Sequence, residues 1–291
     1  TVYNPALASN GSGYAAVWSR WDYSGIAQDN IYANVYSSGS WSKDAGGNPT
    51  PWIIENSTGF ASSPRLASNG SGYGVAWVQN DGAAFSIFAN LYTAGTWSTG
   101  GTPLETGPGD ADYPSIASNG SGYAVAWYQY DGPAVSIFAN IYSSGTWSVG
   151  GTLLENNDFS VGIPSIASNG TGYAAAWSQF DGSSSNIYAS ICSGGTWSTG
   201  GTLLETGSGT AYSPNIASDG SGYAVSWFQY DGAYNSIYMN IYSSGTWSSG
   251  GTLLESNDGE ADTTTIISNG NKYSVIWWQQ DPTDPLVYDI W

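Results

Sequence analysis

The stretch SNGSGYAVAWYQYDG, from Ser118 to Gly132, decides the fold because six versions of it occur along the chain. Fifty residues later it reads SNGTGYAAAWSQFDG, and after another fifty SDGSGYAVSWFQYDG. One tryptophan anchors each copy, and the spacing is fifty residues except between the first two; the anchors are Trp18, Trp77, Trp127, Trp177, Trp227 and Trp277. A fixed period of this length is typical of propellers and solenoids.

Each copy alternates four short β-rich segments with turn signals. In the third copy these segments begin with PSIAS, GYAVAWYQ, SIFANIY and TWS, the last continuing to TLLE at Glu155. Asn-Gly and Asp-Gly pairs between such segments favour hairpins, and no segment keeps a helical period. The sequence therefore predicts an all-β fold, a six-bladed β-propeller with about four antiparallel strands per blade. An open β-solenoid is the alternative.

We expect a single propeller domain over the whole chain, with approximate repeats at 5–63, 64–113, 114–163, 164–213, 214–263 and 264–291. The last repeat stops at Trp291, which aligns with Ile141, so the last blade lacks its outer strand in the sequence. Its edge is left three-stranded, or it is completed by Thr1 to Tyr3 or by another chain.

The repeated aromatic residues are expected to form the core. Alternation along the second strand places Val125 and Trp127 on one face and Ala124 and Ala126 on the other, as face-to-face packing of blades requires. Cys192 occupies a position where other repeats have tyrosine, so we interpret it as a small buried side chain.

Composition excludes several functions. With 4 Lys+Arg against 22 Asp+Glu, a net charge of -18 disfavours nucleic acid and anionic membranes, and no apolar run is long enough to insert in a membrane. The absence of histidine removes Ser-His-Asp sites and Cys/His zinc sites. Only Arg20 and Arg65 are available to hold a sugar carboxylate. Glycosidases stay formally open because they need only two carboxylates. The sequence nevertheless predicts no enzyme, disfavours a sialidase or glycosidase, and predicts no required cofactor.

Carboxylates follow the repeat in two sets. One set ends the second strand and contains Asp22, Asp81, Asp131, Asp181, Asp231 and Asp281. The other ends the fourth strand and contains Glu55, Glu105, Glu155, Glu205 and Glu255. Either each Asp caps its own turn while each Glu faces solvent, or the sets bind cations or sugar hydroxyls. Ca²⁺ is the candidate cation, at two acidic loop clusters, Asp110 with Asp112 and Asp258 with Glu260 and Asp262.

Glycan binding is predicted at the turn after the second strand, where a polar fork stands beside an aromatic ring. The candidate ligand-binding residues are Gln79, Asp81, Gln129, Asp131, Gln179, Asp181, Gln229 and Asp231, with Trp21, Tyr130 and Tyr230 as aromatic faces. The alternative is a structural role, in which Gln129 connects neighbouring blades. Several weak sites would give avidity for multivalent sugars.

Five sequons fit the N-glycosylation acceptor pattern, at Asn10, Asn56, Asn69, Asn119 and Asn169. Four of them lie in the same hairpin turn, where Asn-Gly also suits the turn geometry.

The repeat, written ASNGSGYAVAWxQxDG…IYANIYSSGTW, resembles those of secreted bacterial surface β-propeller proteins over nearly the whole chain. YSSGTWS, from Tyr142, is similar to the Asp-box turn of sialidase-like propellers but lacks its Asp. The resemblance implies an extracellular or cell-surface location. We predict a non-catalytic, lectin-like binding or adhesion module for glycans or a surface polymer. The alternative is a structural subunit that self-associates through the sixth blade or the rims.

Overall fold

The computed structural model describes the chain except for residues 23–27, 44–45, 49, 56–58, 157–158, 256–258 and 282 and the side chains of 285 and 286. It forms two compact units, one from residues 1–132 and 138–152 and the other from 133–137 and 153–291. In the part of the chain so described, regular structure consists of β-strands, and no helix is long and apolar enough to cross a membrane. The single domain over residues 1–291 stays a prediction.

Six antiparallel sheets follow one another along the chain, each built from one repeat. The first contains β1 (Val2–Ser9), β2 (Tyr14–Asp22), β3 (Gln28–Ser37), β4 (Ser40–Trp41) and β5 (Trp52–Ile53). The second contains β6 (Ala61–Ser68), β7 (Tyr73–Asn80), β8 (Phe85–Thr93), β9 (Thr96–Trp97) and β10 (Thr102–Pro103). The third contains β11 (Ala111–Ser118), β12 (Tyr123–Tyr130), β13 (Val135–Ser143), β14 (Thr146–Trp147) and β15 (Thr152–Leu153).

The remaining sheets repeat this order. The fourth contains β16 (Ser165–Ser168), β17 (Tyr173–Phe180), β18 (Ser185–Ser193), β19 (Thr196–Trp197) and β20 (Thr202–Leu203). The fifth contains β21 (Ala211–Ser218), β22 (Tyr223–Tyr230), β23 (Asn235–Ser243), β24 (Thr246–Trp247) and β25 (Thr252–Leu253). The sixth has three strands, β26 (Ala261–Ser268), β27 (Tyr273–Asp281) and β28 (Asp284–Ile290).

The predicted fourth strand is two short strands that both pair with the third. In the second sheet Tyr92 of β8 pairs with Trp97 of β9, and Phe88 pairs with Pro103 of β10. The loop between them passes over the anchor tryptophan, and a Cβ at Gly101 would lie 2.6 Å from Cζ2 of Trp77. The Gly-Gly pair therefore divides the strand because only glycine lets the backbone approach the indole so closely.

The anchor tryptophans are core residues, as predicted. Trp127 is fully buried and packs, with Val125, against Ala76 and Ile87 of the preceding repeat. The same packing occurs in the second unit, where Trp227 lies against Ala176. Large side chains of one repeat thus fill the space left by alanines of the repeat before it, which stabilises the pair through burial of apolar surface.

The burial of Cys192 confirms its interpretation as a small buried side chain. It pairs with Tyr173 across β17 and β18 and is 2% exposed. Burial raises the pKa of its thiol to about 11, so the reactive thiolate is disfavoured at neutral pH.

Candidate functional site

The glutamines predicted to hold sugars lie inside the protein, where they connect successive repeats. Gln129 is 3% exposed; its Oε1 accepts a hydrogen bond from Nε1 of Trp127 at 3.1 Å, and its Nε2 donates to Oε2 of Glu105 at 3.0 Å. Equivalent bridges are Trp77–Gln79–Glu55, Trp177–Gln179–Glu155, Trp227–Gln229–Glu205 and Trp277–Gln279–Glu255. The structure thus agrees with the structural alternative for Gln129, in which this side chain connects neighbouring blades. Four of the five glutamates are buried rather than solvated.

The aspartates that end the second strand organise their own turns. Oδ1 of Asp181 accepts the backbone N–H groups of Ser183 at 2.8 Å and Ser184 at 3.0 Å, and Oδ2 accepts Nδ2 of Asn186 at 2.8 Å. Backbone donation from Ser184 and Ser183 lowers the pKa of Asp181 to about 2. The pattern recurs at Asp81 and Asp231. These carboxylates are therefore ionised and held in fixed orientations.

Two of the three predicted aromatic faces are open to solvent. Tyr130 is 46% exposed and Tyr230 is 47% exposed. Trp21 is half-buried, and its backbone N–H donates to the carbonyl of Thr1 at 3.0 Å. In the same first repeat, Arg20 replaces the bridging glutamine and lies over the ring of Tyr32, 5.0 Å from its centroid. The first repeat thus departs from the others at this turn.

A cavity of about 460 Å³ within the second unit, which we call the fifth-repeat groove, brings together a glutamate, a bridging glutamine, a turn aspartate and an exposed tyrosine. Its lining includes Glu205 from the fourth repeat and Gln229, Tyr230, Asp231 and Tyr238 from the fifth. The glutamate reaches the cavity because the bridge to Gln229 holds it against the next repeat, at 3.2 Å. The groove thus contains two carboxylates, the phenol of Tyr238 and the exposed ring of a second tyrosine, Tyr230.

The third-repeat groove is the corresponding cavity of the first unit, with a volume of about 360 Å³. Its lining includes Glu105, Gln129, Tyr130, Asp131 and Phe138. It therefore offers the same carboxylates and the same exposed ring, but a phenylalanine in place of the phenol.

The two carboxyl groups of the fifth-repeat groove have pKa values displaced in opposite directions. Burial raises the pKa of Glu205, and the charge of Asp181 adds to this, against hydrogen bonds from Gln229 and Gly207. Backbone N–H groups of Tyr234 and Ala233 lower the pKa of Asp231. One group thus keeps its proton to higher pH while the other ionises at lower pH, which is the arrangement of an acid–base pair.

The sequence alone does not show this pair, because Glu205 and Asp231 belong to two separate repeated sets and come together only across neighbouring repeats. The signal that was available is the constant separation of 24 residues between each glutamate and its bridging glutamine. A polar pair at a fixed offset in every repeat indicates contact between neighbouring repeats.

The carboxylates of the predicted calcium clusters accept hydrogen bonds from nearby backbone and side-chain groups. Asp110 accepts the N–H of Phe85 at 2.8 Å, and Asp112 accepts that of Tyr113 at 2.6 Å. Glu260 accepts the side-chain amide of Asn235, and Asp262 accepts the N–H of Thr263. Asp258 lies outside the described residues, and within those residues no group of three or more metal-binding side chains assembles. Calcium binding stays a prediction.

The sequon asparagines cap their hairpin turns. Oδ1 of Asn119 accepts the N–H groups of Ser121 at 3.0 Å and Gly122 at 2.7 Å. The same bonds occur at Asn10, Asn69 and Asn169. Asp219 makes them in the fifth repeat, and Asn56 lies outside the described residues. The turn alone therefore accounts for the residue type, and glycosylation stays a prediction.

Comparison with known proteins adds the fold. No family model and no curated protein matches the sequence. The similar solved structures include the following three. A puromycin-hydrolysing peptidase of Mycobacterium tuberculosis has a TM-score of 0.53 and 10% identity, over 97% of this chain and 45% of the peptidase. A prolyl endopeptidase has a TM-score of 0.53 and 11% identity, over 96% of this chain and 39% of the other.

The third is an ulvan lyase of polysaccharide lyase family 25, bound to -[GlcA(1-4)Rha3S]-, with a TM-score of 0.52 and 10% identity, over 96% of this chain and 81% of the lyase. At such identities the similarity shows the fold alone, a β-propeller of repeated antiparallel sheets, which confirms the predicted class. Six sheets fit six blades.

The same comparison corrects the functional prediction. The prediction of a non-catalytic binding or adhesion module, with a structural subunit as its alternative, is wrong as a conclusion from this fold, and so is the prediction that the chain is not an enzyme. The similar structures are enzymes, one of which is a polysaccharide lyase. The physical reason for the error is that the sequence does not show that Glu205 and Asp231 line one cavity, and two carboxyl groups suffice for acid–base chemistry on glycans.

Proposed function

We propose that this chain is a six-bladed propeller glycoside hydrolase that cleaves an uncharged polysaccharide in the fifth-repeat groove. The observation that carries the proposal is the presence of Glu205 and Asp231 in one cavity, with pKa values displaced in opposite directions. The exposed ring of Tyr230 in the same lining supplies an apolar face on which a sugar can stack.

The two carboxyl groups have complementary roles in this proposal. Protonated Glu205 gives its proton to the glycosidic oxygen as the bond from that oxygen to the anomeric carbon breaks. Ionised Asp231 takes a proton from the water whose oxygen bonds to the same carbon. The products are two shorter sugars, and transfer of the proton from Asp231 to Glu205 through solvent restores the starting state.

The charge of the groove favours an uncharged substrate. Among the residues that the structure describes, its lining contains two carboxylic acids and no lysine or arginine. The chain as a whole carries a net charge of -18. A uronate, sulfate or sialate would meet like charge without a cation to offset it. Elimination next to a uronate also develops negative charge that needs a positive partner. Hydrolysis of a neutral glycan is therefore favoured over lyase chemistry on an acidic one.

Peptide hydrolysis is the less favoured chemistry. The chain spans less than half of the two similar peptidases. It also has no histidine to activate a serine or cysteine nucleophile. A glycan partner and an extracellular location are parts of the same proposal. They are supported by the polysaccharide lyase comparison and by the repeat's resemblance to surface propellers.

The test is a screen for released reducing ends with neutral, amino-containing and uronate-containing polysaccharides. We expect turnover of a neutral polymer by the wild-type chain, and at least a 100-fold loss of kcat in Glu205→Gln and in Asp231→Asn. Asp289→Asn, an exposed aspartate of β28, serves as the matched control and keeps full activity. Turnover of uronate polymers alone, or wild-type activity in both groove variants, would contradict the proposal.

A further inference from the structure

The fifth-repeat and third-repeat grooves differ at one position that bears on chemistry. Both contain the bridging glutamine, the buried glutamate, the exposed tyrosine and the turn aspartate. The fifth-repeat groove adds Tyr238, where the third-repeat groove has Phe138. The chain thus contains its own comparison between a groove with a second phenol, at Tyr238, and one with the exposed tyrosine alone.

The aromatic ring at this position has the same structural role in both repeats. Tyr238 stacks on Trp227 with ring centroids 6.2 Å apart and planes at 16°, and Phe138 stacks on Trp127 at 6.2 Å and 20°. Since stacking does not require the hydroxyl, the hydroxyl of Tyr238 is an addition to the core packing. Its presence in the groove needs another explanation.

The surroundings of this hydroxyl keep it a hydrogen-bond donor. Burial raises the pKa of Tyr238, and the nearby charges of Asp231 and Glu255 raise it further. A phenol that keeps its proton donates to an oxygen atom, and the oxygen atoms of a bound sugar are the acceptors that the groove would bring to it.

Tyr32, the tyrosine at the equivalent position of the first repeat, already uses its hydroxyl in a hydrogen bond. The hydroxyl of Tyr32 donates to Oδ2 of Asp22 at 2.6 Å, and the guanidinium of Arg20 covers its ring. The first repeat therefore does not offer its hydroxyl in the way that the fifth does.

We infer that Tyr238 donates a hydrogen bond to the scissile sugar, so that the fifth-repeat groove cleaves the glycan while the third-repeat groove binds the same glycan without cleaving it. This inference rests on the proposed hydrolase function and assigns its productive subsite. Two grooves that share these residues but differ at this one aromatic position would give the chain a cleaving site and a binding site for the same glycan.

The experiment exchanges the two side chains. Tyr238→Phe should lower kcat about 100-fold with KM changed less than about threefold, since one donor that acts in the transition state is lost. Tyr113→Phe is the matched control, because this tyrosine is exposed and lies outside both linings; it should keep wild-type kinetics. Phe138→Tyr in the Tyr238→Phe background should recover at least about tenfold of the lost kcat, by creating the phenol in the other groove.

Binding and folding are measured on the same variants. Calorimetric titration with an oligosaccharide of the cleaved polymer should give two sites per chain in the wild type and in Tyr238→Phe, and urea unfolding should show that both variants fold. Full activity of a folded Tyr238→Phe overturns this inference alone. A single bound oligosaccharide per wild-type chain also overturns it. A wild-type chain that cleaves none of the polysaccharides overturns the proposed function and this inference together.

Discussion

Replacement of Gln129 by leucine removes one complete bridge between repeats. It leaves three groups without this partner: the buried indole N–H of Trp127, the buried Oε2 of Glu105 and the part-buried carbonyl of Gly109, which lie 3.1, 3.0 and 3.2 Å from the amide. An unsatisfied buried group costs about 1–3 kcal/mol, and more when it is charged. Since Trp127 is fully buried and Glu105 is 7% exposed, we expect a loss of about 3–6 kcal/mol in the free energy of unfolding.

The assay is urea unfolding followed by tryptophan fluorescence and by far-ultraviolet circular dichroism. Val149→Ala, at a side chain that is 97% exposed, is the control and should change the free energy by less than about 0.5 kcal/mol. The double variant Glu105→Leu with Gln129→Leu should recover part of the loss, with a coupling of about 1–3 kcal/mol. A loss below about 1 kcal/mol in Gln129→Leu would refute the view that the bridge holds the repeats together.

Further predictions concern packing, turns and pH. Gly74→Ala should destabilise by about 1–3 kcal/mol, measured by urea unfolding, because the new Cβ would lie 2.8 Å from the ring of Tyr123. Asn119→Ala should lose about 1 kcal/mol through its turn, whereas Asn119→Asp should match wild type, as Asp219 does in the fifth repeat. The pKa of Asp181 is lowered to about 2 from 3.8, so its stabilisation is present above pH 3.8 and lost toward pH 2; Asp181→Asn should flatten the acid limb of the unfolding midpoint. The pKa of Glu205 is shifted in the opposite direction. Its raised pKa gives stabilisation that is full below pH 4.5 and is lost as the pH rises through the pKa of the folded state. Glu205→Gln should remove this pH dependence.

Local sequence determined most of the fold. Period-two alternation and Asn-Gly turns predict the first three strands of each sheet, and the alternation of alanine with Trp127 predicts which face is covered. The sequence pattern does not predict the division of the fourth strand. That division depends on the close approach of Gly101 to the indole of Trp77, which belongs to another strand of the sheet.

The candidate site was harder to predict because it combines consecutive repeats. The sequence placed Gln129 on the face of Trp127, from which its burial follows. It did not show that Glu105, 24 residues earlier, would complete the bridge. A single repeat contains no groove, so the pairing of Glu205 with Asp231 appears only when the fourth and fifth repeats are in contact.

The most direct measurement is the pH dependence of kcat/KM for hydrolysis of the neutral polysaccharide found in the screen. Asp231 must be ionised and Glu205 protonated, so the rate should rise through the lowered pKa and fall through the raised one, a bell-shaped profile. The residual activity of Glu205→Gln should lack the alkaline limb. A rate that does not change with pH, or an alkaline limb that persists in Glu205→Gln, would contradict the assignment of these two carboxyl groups as the acid–base pair.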